Sequence, residues 1–213
     1  MRDSRAEVSS RYRLEAIMFR LAREHAEKAK ERAEKYSNSH ERSDLEKEME
    51  HSLQAIILSH AFLEAYLNLI GEERLKGSPN ISDQILWEII RELRSRFTDR
   101  WCWVVKAVTK KRLEEDNDLW NKLNQLNALR NKIIHYKPKP SKGTESWEEK
   151  DIRLKNAIMA VSVAERTVRK FHELDGSEPP DFLETLKAGK EWKAILGGEI
   201  KVHDESEQRI RRD

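Results

Sequence analysis

The stretch Leu126-Asn127-Ala128-Leu129-Arg130-Asn131-Lys132-Ile133-Ile134-His135-Tyr136 holds the residues best suited to chemistry on a phosphodiester. A histidine side chain changes charge near neutral pH, so His135 can act as general base or general acid. The guanidinium of Arg130 is a planar fork that matches phosphate oxygens, and the carboxamide of Asn131 can orient a substrate or the imidazole. On a wheel of about 100° per residue, Leu119, Leu123, Leu126 and Ile133 share one face, with Arg130 in the middle of it. Burying a guanidinium there without a partner is expensive. Arg130 must therefore reach past its neighbours or meet an acid or an anion. Asn124, Asn127, Asn131 and His135 form a polar strip beside the apolar face. An offset of five sets Arg130 and His135 about 140° apart on a regular helix. A distorted helix end, the reach of the arginine or a second subunit is needed to bring them together.

The order Arg130-Asn131-x-x-x-His135 resembles the Arg-x(4 to 6)-His motif of the HEPN superfamily, in which a polar residue commonly follows the arginine. The segment Leu58-Ser59-His60-Ala61-Phe62-Leu63-Glu64-Ala65-Tyr66 is similar to that family's central helix, which often bears a polar residue facing the site. Glu64 is the candidate there, either as the acid that a buried Arg130 requires or as a residue facing water. Tyr136 is a second supporting candidate. The resemblance covers about residues 45–174 and implies an all-α, HEPN-like up-and-down helical bundle. It also implies a metal-independent endoribonuclease, without cofactor, that cuts RNA by transesterification to a 2′,3′-cyclic phosphate and a 5′-hydroxyl. Such enzymes act in toxin or phage-defence systems, commonly as homodimers whose two motifs face one cleft, so an antitoxin or regulatory protein is an expected partner. Lys132, Lys137, Lys139 and Lys142 crowd the motif and are candidates for guiding an RNA backbone. The alternative is a non-catalytic HEPN-like module that binds a nucleotide, nucleic acid or a partner protein.

With 21 arginines and seven histidines in 213 residues, chance supplies such a pair at any one fixed offset about 0.7 times. Arg20 with His25, and Arg166 with His172, also fall within the permitted spacing. The first pair sits in a densely charged stretch and the second near a helix end, so context selects Arg130 and His135. A histidine in a last helical turn can also serve simply as a C-cap. No other chemistry has comparable support. One cysteine excludes thiolate clusters, no two histidines stand at the i, i+4 spacing that zinc sites combine with a carboxylate, and no glycine-rich phosphate loop occurs. Ser59 beside His60, Cys102 between tryptophans, and the tryptophans themselves read as core.

These residues need a helical frame. Residues 4–35 form a first helix with an apolar stripe of Val8, Tyr12, Ile17, Leu21 and Ala29. Ser43 and Glu46 suggest a capping box for a second, central helix running to Gly71. A third helix spans about 81–97, and Thr98 suggests the cap of a short fourth carrying Trp101, Trp103, Val104 and Val105. Residues 106–115 read as a loop, and 116–136 as the helix that bears the motif, stopped by Lys137-Pro138-Lys139-Pro140. Ser146 with Glu149 suggests the cap of a long helix ending at Gly176. Short helices follow Pro179-Pro180. A single domain over residues 1–198 and a charged, mobile tail over 199–213 are expected.

Bulk composition agrees. Charged residues make up 38% of the chain, which favours long solvated helices over strands. The net charge of +2 makes no global case for nucleic acid. The most apolar run, Leu53 to Ile70, is interrupted by His60, Glu64 and Asn68 and falls short of a membrane span. No secretion signal opens the sequence, and a cytoplasmic protein without membrane contact is expected.

Overall fold

The structure, a computed structural model, describes residues 4–92, 96–135 and 151–185, with side chains between 14 and 183. It is all-α: α1 (Ser4–Ser39), α2 (Arg42–Ile70), α3 (Ile81–Glu92), α4 (Phe97–Thr109), α5 (Asn117–Ile134), α6 (Leu154–Asp175) and α7 (Asp181–Thr185). No strand occurs among the described residues. The chain divides into two compact units, residues 1–179 and 180–213, and the expected boundary at 198 lies outside the described residues. Gly176 in the left-handed region (φ 75°) ends α6, and Pro179 and Pro180 follow after Ser177 and Glu178. The expected tail and the Ser146–Glu149 cap lie outside the described residues, as do Tyr136, Lys137, Lys139 and Lys142.

Two residues separate α1 from α2, with His40 at φ 54° making the reversal. The result is an antiparallel hairpin whose register is marked by His25 against His51 and Arg32 against Asp44. The face that α1 buries is Glu15, Phe19, Ala22, Arg23, Ala26 and Ala29, whereas Ile17 is exposed. The expected stripe is thus rotated, because three alanines let the two helix backbones approach closely while Phe19 stacks on Phe62, ring centroids 4.9 Å apart. The capping box at Ser43 does not form. Glu41 is the N-cap without a side-chain bond, and α1 runs on to Ser39, leaving Ser43 already inside α2.

Helix α2 is central, as its two apolar faces require. It packs on α1, α6, α5 and α4 and buries Ala55, Ile56, Phe62, Leu63, Tyr66, Leu67 and Ile70. Extended through Lys76, it has the length and composition of a membrane span, but 56% of its most apolar window is buried among protein side chains. That is the setting of a core helix. Residues Gly71–Lys76 continue it as a π turn, which brings Gly71 directly against the six-membered ring of Trp87 from α3. A Cβ there would collide with the indole.

Helix α3 buries only Trp87 and Ile90, leaving Ile85 and Ile89 outward. Its described part runs to Glu92, and Phe97, the expected end, instead opens α4. Arg96, not Thr98, precedes α4, and Thr98 is buried within its first turn. Of the tryptophans, Trp87 and Trp101 lie in the core as expected, and Trp103 is 40% exposed.

The long-range anchor of α6 is Glu48. Its carboxylate, 1% exposed, takes two bonds from the Arg153 guanidinium (2.9 and 3.2 Å) and one from the Leu154 backbone N–H (3.0 Å). An acid deep in α2 therefore caps a helix more than a hundred residues away.

Candidate functional site

Helix α5 begins with Asp116 accepting the Leu119 N–H at 3.1 Å. Its buried positions are Leu119, Leu123, Leu126 and Leu129, with Ile133 only half-buried. The core face thus centres on Leu129 at its last turns, one position before Arg130. That small rotation places Arg130 at the edge of the interface rather than in its middle. The guanidinium is half-buried, and its Nη1 donates to the Asn131 side chain at 3.0 Å. No carboxylate pairs with it among the described residues.

Of the two roles open to Glu64, the structure shows a carboxylate partly in water and near groups other than Arg130. Glu64 is 40% exposed along its side chain and lies 3.5 Å from Arg100 of α4 and 3.9 Å from His60 Nδ1, one turn earlier on α2. Arg100 also donates to Asn68 at 2.7 Å, while its Nε is buried and finds no partner among the described residues. Arg100 lies in the first turns of α4, which packs on α2, and this places its guanidinium beside Glu64.

The imidazole that sits with Arg130 is His60, not His135. His60 is 3% exposed, stacked on Phe97 with ring centroids 4.2 Å apart, and its Nε2 lies 3.2 Å from Asn127 Oδ1. Burial lowers its pKa from the ordinary value. The bond to Asn127 and the nearby Glu64 charge oppose this, and the neighbouring Arg130 charge lowers it further. His60 is therefore held neutral, donating to Asn127 through Nε2. The asparagine strip has a defined use: Asn127 ties α5 to α2, Asn131 holds the guanidinium, and Asn124 bonds back to the Trp120 carbonyl.

His135 is the C-cap of α5, with φ −98° and ψ 26°, and its N–H bonds the Asn131 carbonyl at 3.0 Å. Its side chain is exposed and shares no hydrogen bond with Arg130. The helix stays regular up to Ile134, so the two remain on different sides of one chain. Lys132 is exposed and paired with Asp151 at 3.1 Å.

Residues set aside on sequence grounds fall elsewhere. The Tyr66 hydroxyl bonds His172 Nε2 at 2.7 Å, His172 Nδ1 bonds Ser177 at 2.8 Å, and Ser177 donates to Asp175 at 2.6 Å, which also takes Arg74. This chain of bonds latches the end of α6 to α2 and the π turn. Desolvation lowers the His172 pKa, with Asp175 opposing and Arg74 assisting. Burial and the Glu114 carboxylate push the Cys102 thiol up to about 12, so it is no nucleophile at neutral pH.

His60 and Arg100 were not legible as site residues, whereas Asn127 stood in the polar strip beside the motif without an assigned partner. The one signal for His60 was a histidine breaking the most apolar run in the chain, a position where imidazoles are more often packed than reactive. No protein-family model matches this chain, and no curated protein or solved structure matches it.

Proposed function

We propose that this protein is a HEPN-type endoribonuclease that needs no metal. The observation that carries the reading is Arg130, whose half-buried guanidinium is steadied by Asn131 and left without a carboxylate among the described residues. A cation so placed is available to a phosphate. His135 takes the proton of a ribose 2′-hydroxyl, the 2′-oxygen attacks phosphorus, the phosphorus–5′-oxygen bond breaks, and the 5′-oxygen takes a proton from solvent, to which His135 later returns its own. The products are a 2′,3′-cyclic phosphate and a 5′-hydroxyl. Arg130 stabilises the charge that builds on the non-bridging oxygens, and Asn131 fixes the guanidinium. Asn127 and His60 are positioning residues that hold the motif helix in register.

Because Arg130 and His135 occupy different sides of one helix, the reading includes a homodimer in which one copy supplies the base to the other's arginine. A cytoplasmic toxin or defence role, with an antitoxin or regulatory protein as partner, belongs to the same proposal. The test is single-turnover cleavage of RNA and of its 2′-deoxy analogue in chelator. RNA alone should be cut, and Arg130→Ala and His135→Ala should each lose at least about a hundredfold in rate. Equal cutting of both substrates, or full activity in either variant, overturns the proposal. The exposure of His135 favours a second reading, a non-catalytic module binding nucleotide, nucleic acid or a partner protein. Wild type that binds RNA but never cuts it, indistinguishable from His135→Ala, would establish that reading.

A further inference from the structure

One histidine pair lies on the α1–α2 hairpin, where His25 of α1 meets His51 of α2. His25 Nδ1 and His51 Nδ1 are 3.2 Å apart, with ring centroids at 5.3 Å and planes tilted by 37°. Both rings are half-buried, so one edge of the pair faces solvent. Two imidazole nitrogens bound to one ion at about 2.0–2.1 Å, with this separation, subtend roughly 100–105° at the metal. That angle lies between square and tetrahedral coordination. We propose that His25 and His51 form a bidentate site for a late first-row divalent cation such as Cu²⁺ or Ni²⁺, clipping α1 to α2.

The present contact is an N–H···N bond, so one ring carries its hydrogen on Nδ1 and the other on Nε2. Binding requires both rings to hold hydrogen on Nε2 and both Nδ1 lone pairs to face the ion. Since both rings are neutral before and after, the exchange releases no proton. Each ring has to swing by roughly 40° for the lone pairs to converge off the nitrogen–nitrogen line, a rotation within the broad χ2 range of histidine. Neutrality is already in place. Burial lowers the pKa of each imidazole, and at His25 the neighbouring His51 adds to this.

The charges around the pair are mixed. Glu24 and Glu50 act on His25 and Glu31 and Glu50 on His51, against Lys28 at both and Arg32 at His51. Arg32 is itself engaged with Asp44. No group of three or more metal-ligating side chains occurs among the described residues, so water completes the shell. The expected affinity order is therefore that of imidazole ligands, Cu²⁺ above Ni²⁺ above Co²⁺, with Mg²⁺ not retained. This site is independent of the ribonuclease reading.

The experiment is calorimetric titration of the full chain with CuCl2, NiCl2 and MgCl2 in a non-coordinating buffer. It is run on wild type, His25→Gln, His51→Gln and the exposed control His40→Asn, whose residue type tolerates the left-handed backbone there. One Cu²⁺ or Ni²⁺ per chain should bind, with affinity reduced at least tenfold in either glutamine variant and unchanged in His40→Asn. At metal a hundredfold above Kd, Tm of the wild type should rise by about 5 °C. Equal binding in wild type and both glutamine variants means an adventitious ion only and overturns the site, as does no saturable binding. Should a glutamine variant misfold, the Cu²⁺ electron-spin resonance of wild type decides: hyperfine structure from two nitrogens is expected, and from one or none overturns the site.

Discussion

His60 Nε2 and Asn127 Oδ1, 3.2 Å apart, join the central helix to the helix that carries Arg130. The bond satisfies a buried imidazole N–H and at the same time sets the rotation of α5, which decides that Leu129 packs inward and Arg130 sits at the edge. Replacing Asn127 by Ala leaves that N–H unsatisfied. The expected loss is about 1–3 kcal/mol, read as a lower urea midpoint with unchanged slope. RNA cleavage should fall with it because the guanidinium is displaced.

His135 behaves oppositely under the proposed function. Its side chain is exposed and makes no hydrogen bond or ion pair among the described residues, so His135→Ala should change stability by less than about 0.5 kcal/mol while abolishing cleavage. A large drop in Tm would assign it to the fold instead.

Stability should fall on acidification from pH 7 towards 5. His60 and His172 have folded pKa values below that of an unfolded histidine, so within that window the unfolded chain binds more protons than the folded one. Their contribution is complete above the unfolded value and is lost as pH drops through the folded one. Each group adds at most about 1.4 kcal/mol per pH unit. Denaturant titrations at several pH values should show a shallower dependence in His60→Asn.

Glu48 should be the most costly acid to remove. Truncation to Ala takes away both Arg153 bonds and the cap on α6, and the expected cost is about 3 kcal/mol, since Arg153 keeps partial access to water. A change under about 0.5 kcal/mol in chemical denaturation would contradict the anchoring role.

Gly71→Ala should destabilise by about 1–3 kcal/mol, because the new Cβ meets the Trp87 ring. Shifted tryptophan fluorescence should accompany the loss. A smaller aliphatic residue at position 87 should recover part of it.

The sequence by itself determined that this chain is helical, that α2 is its centre, and that Asp116 and Gly176 begin and end two of its helices. Those features follow from local chemistry: apolar spacing, side chains that cap, and a left-handed turn that suits glycine. The motif residues could be placed on one helix end for the same reason. Tertiary structure alone decided the partners. Which acid meets which arginine depends on helix rotation and crossing, and a shift of one position, from Arg130 to Leu129, moved the guanidinium from the core to its rim. Pairings such as His60 with Asn127, Glu48 with Arg153 and His25 with His51 join residues far apart in the chain. No periodicity records them, because each is set by where two separate helices touch.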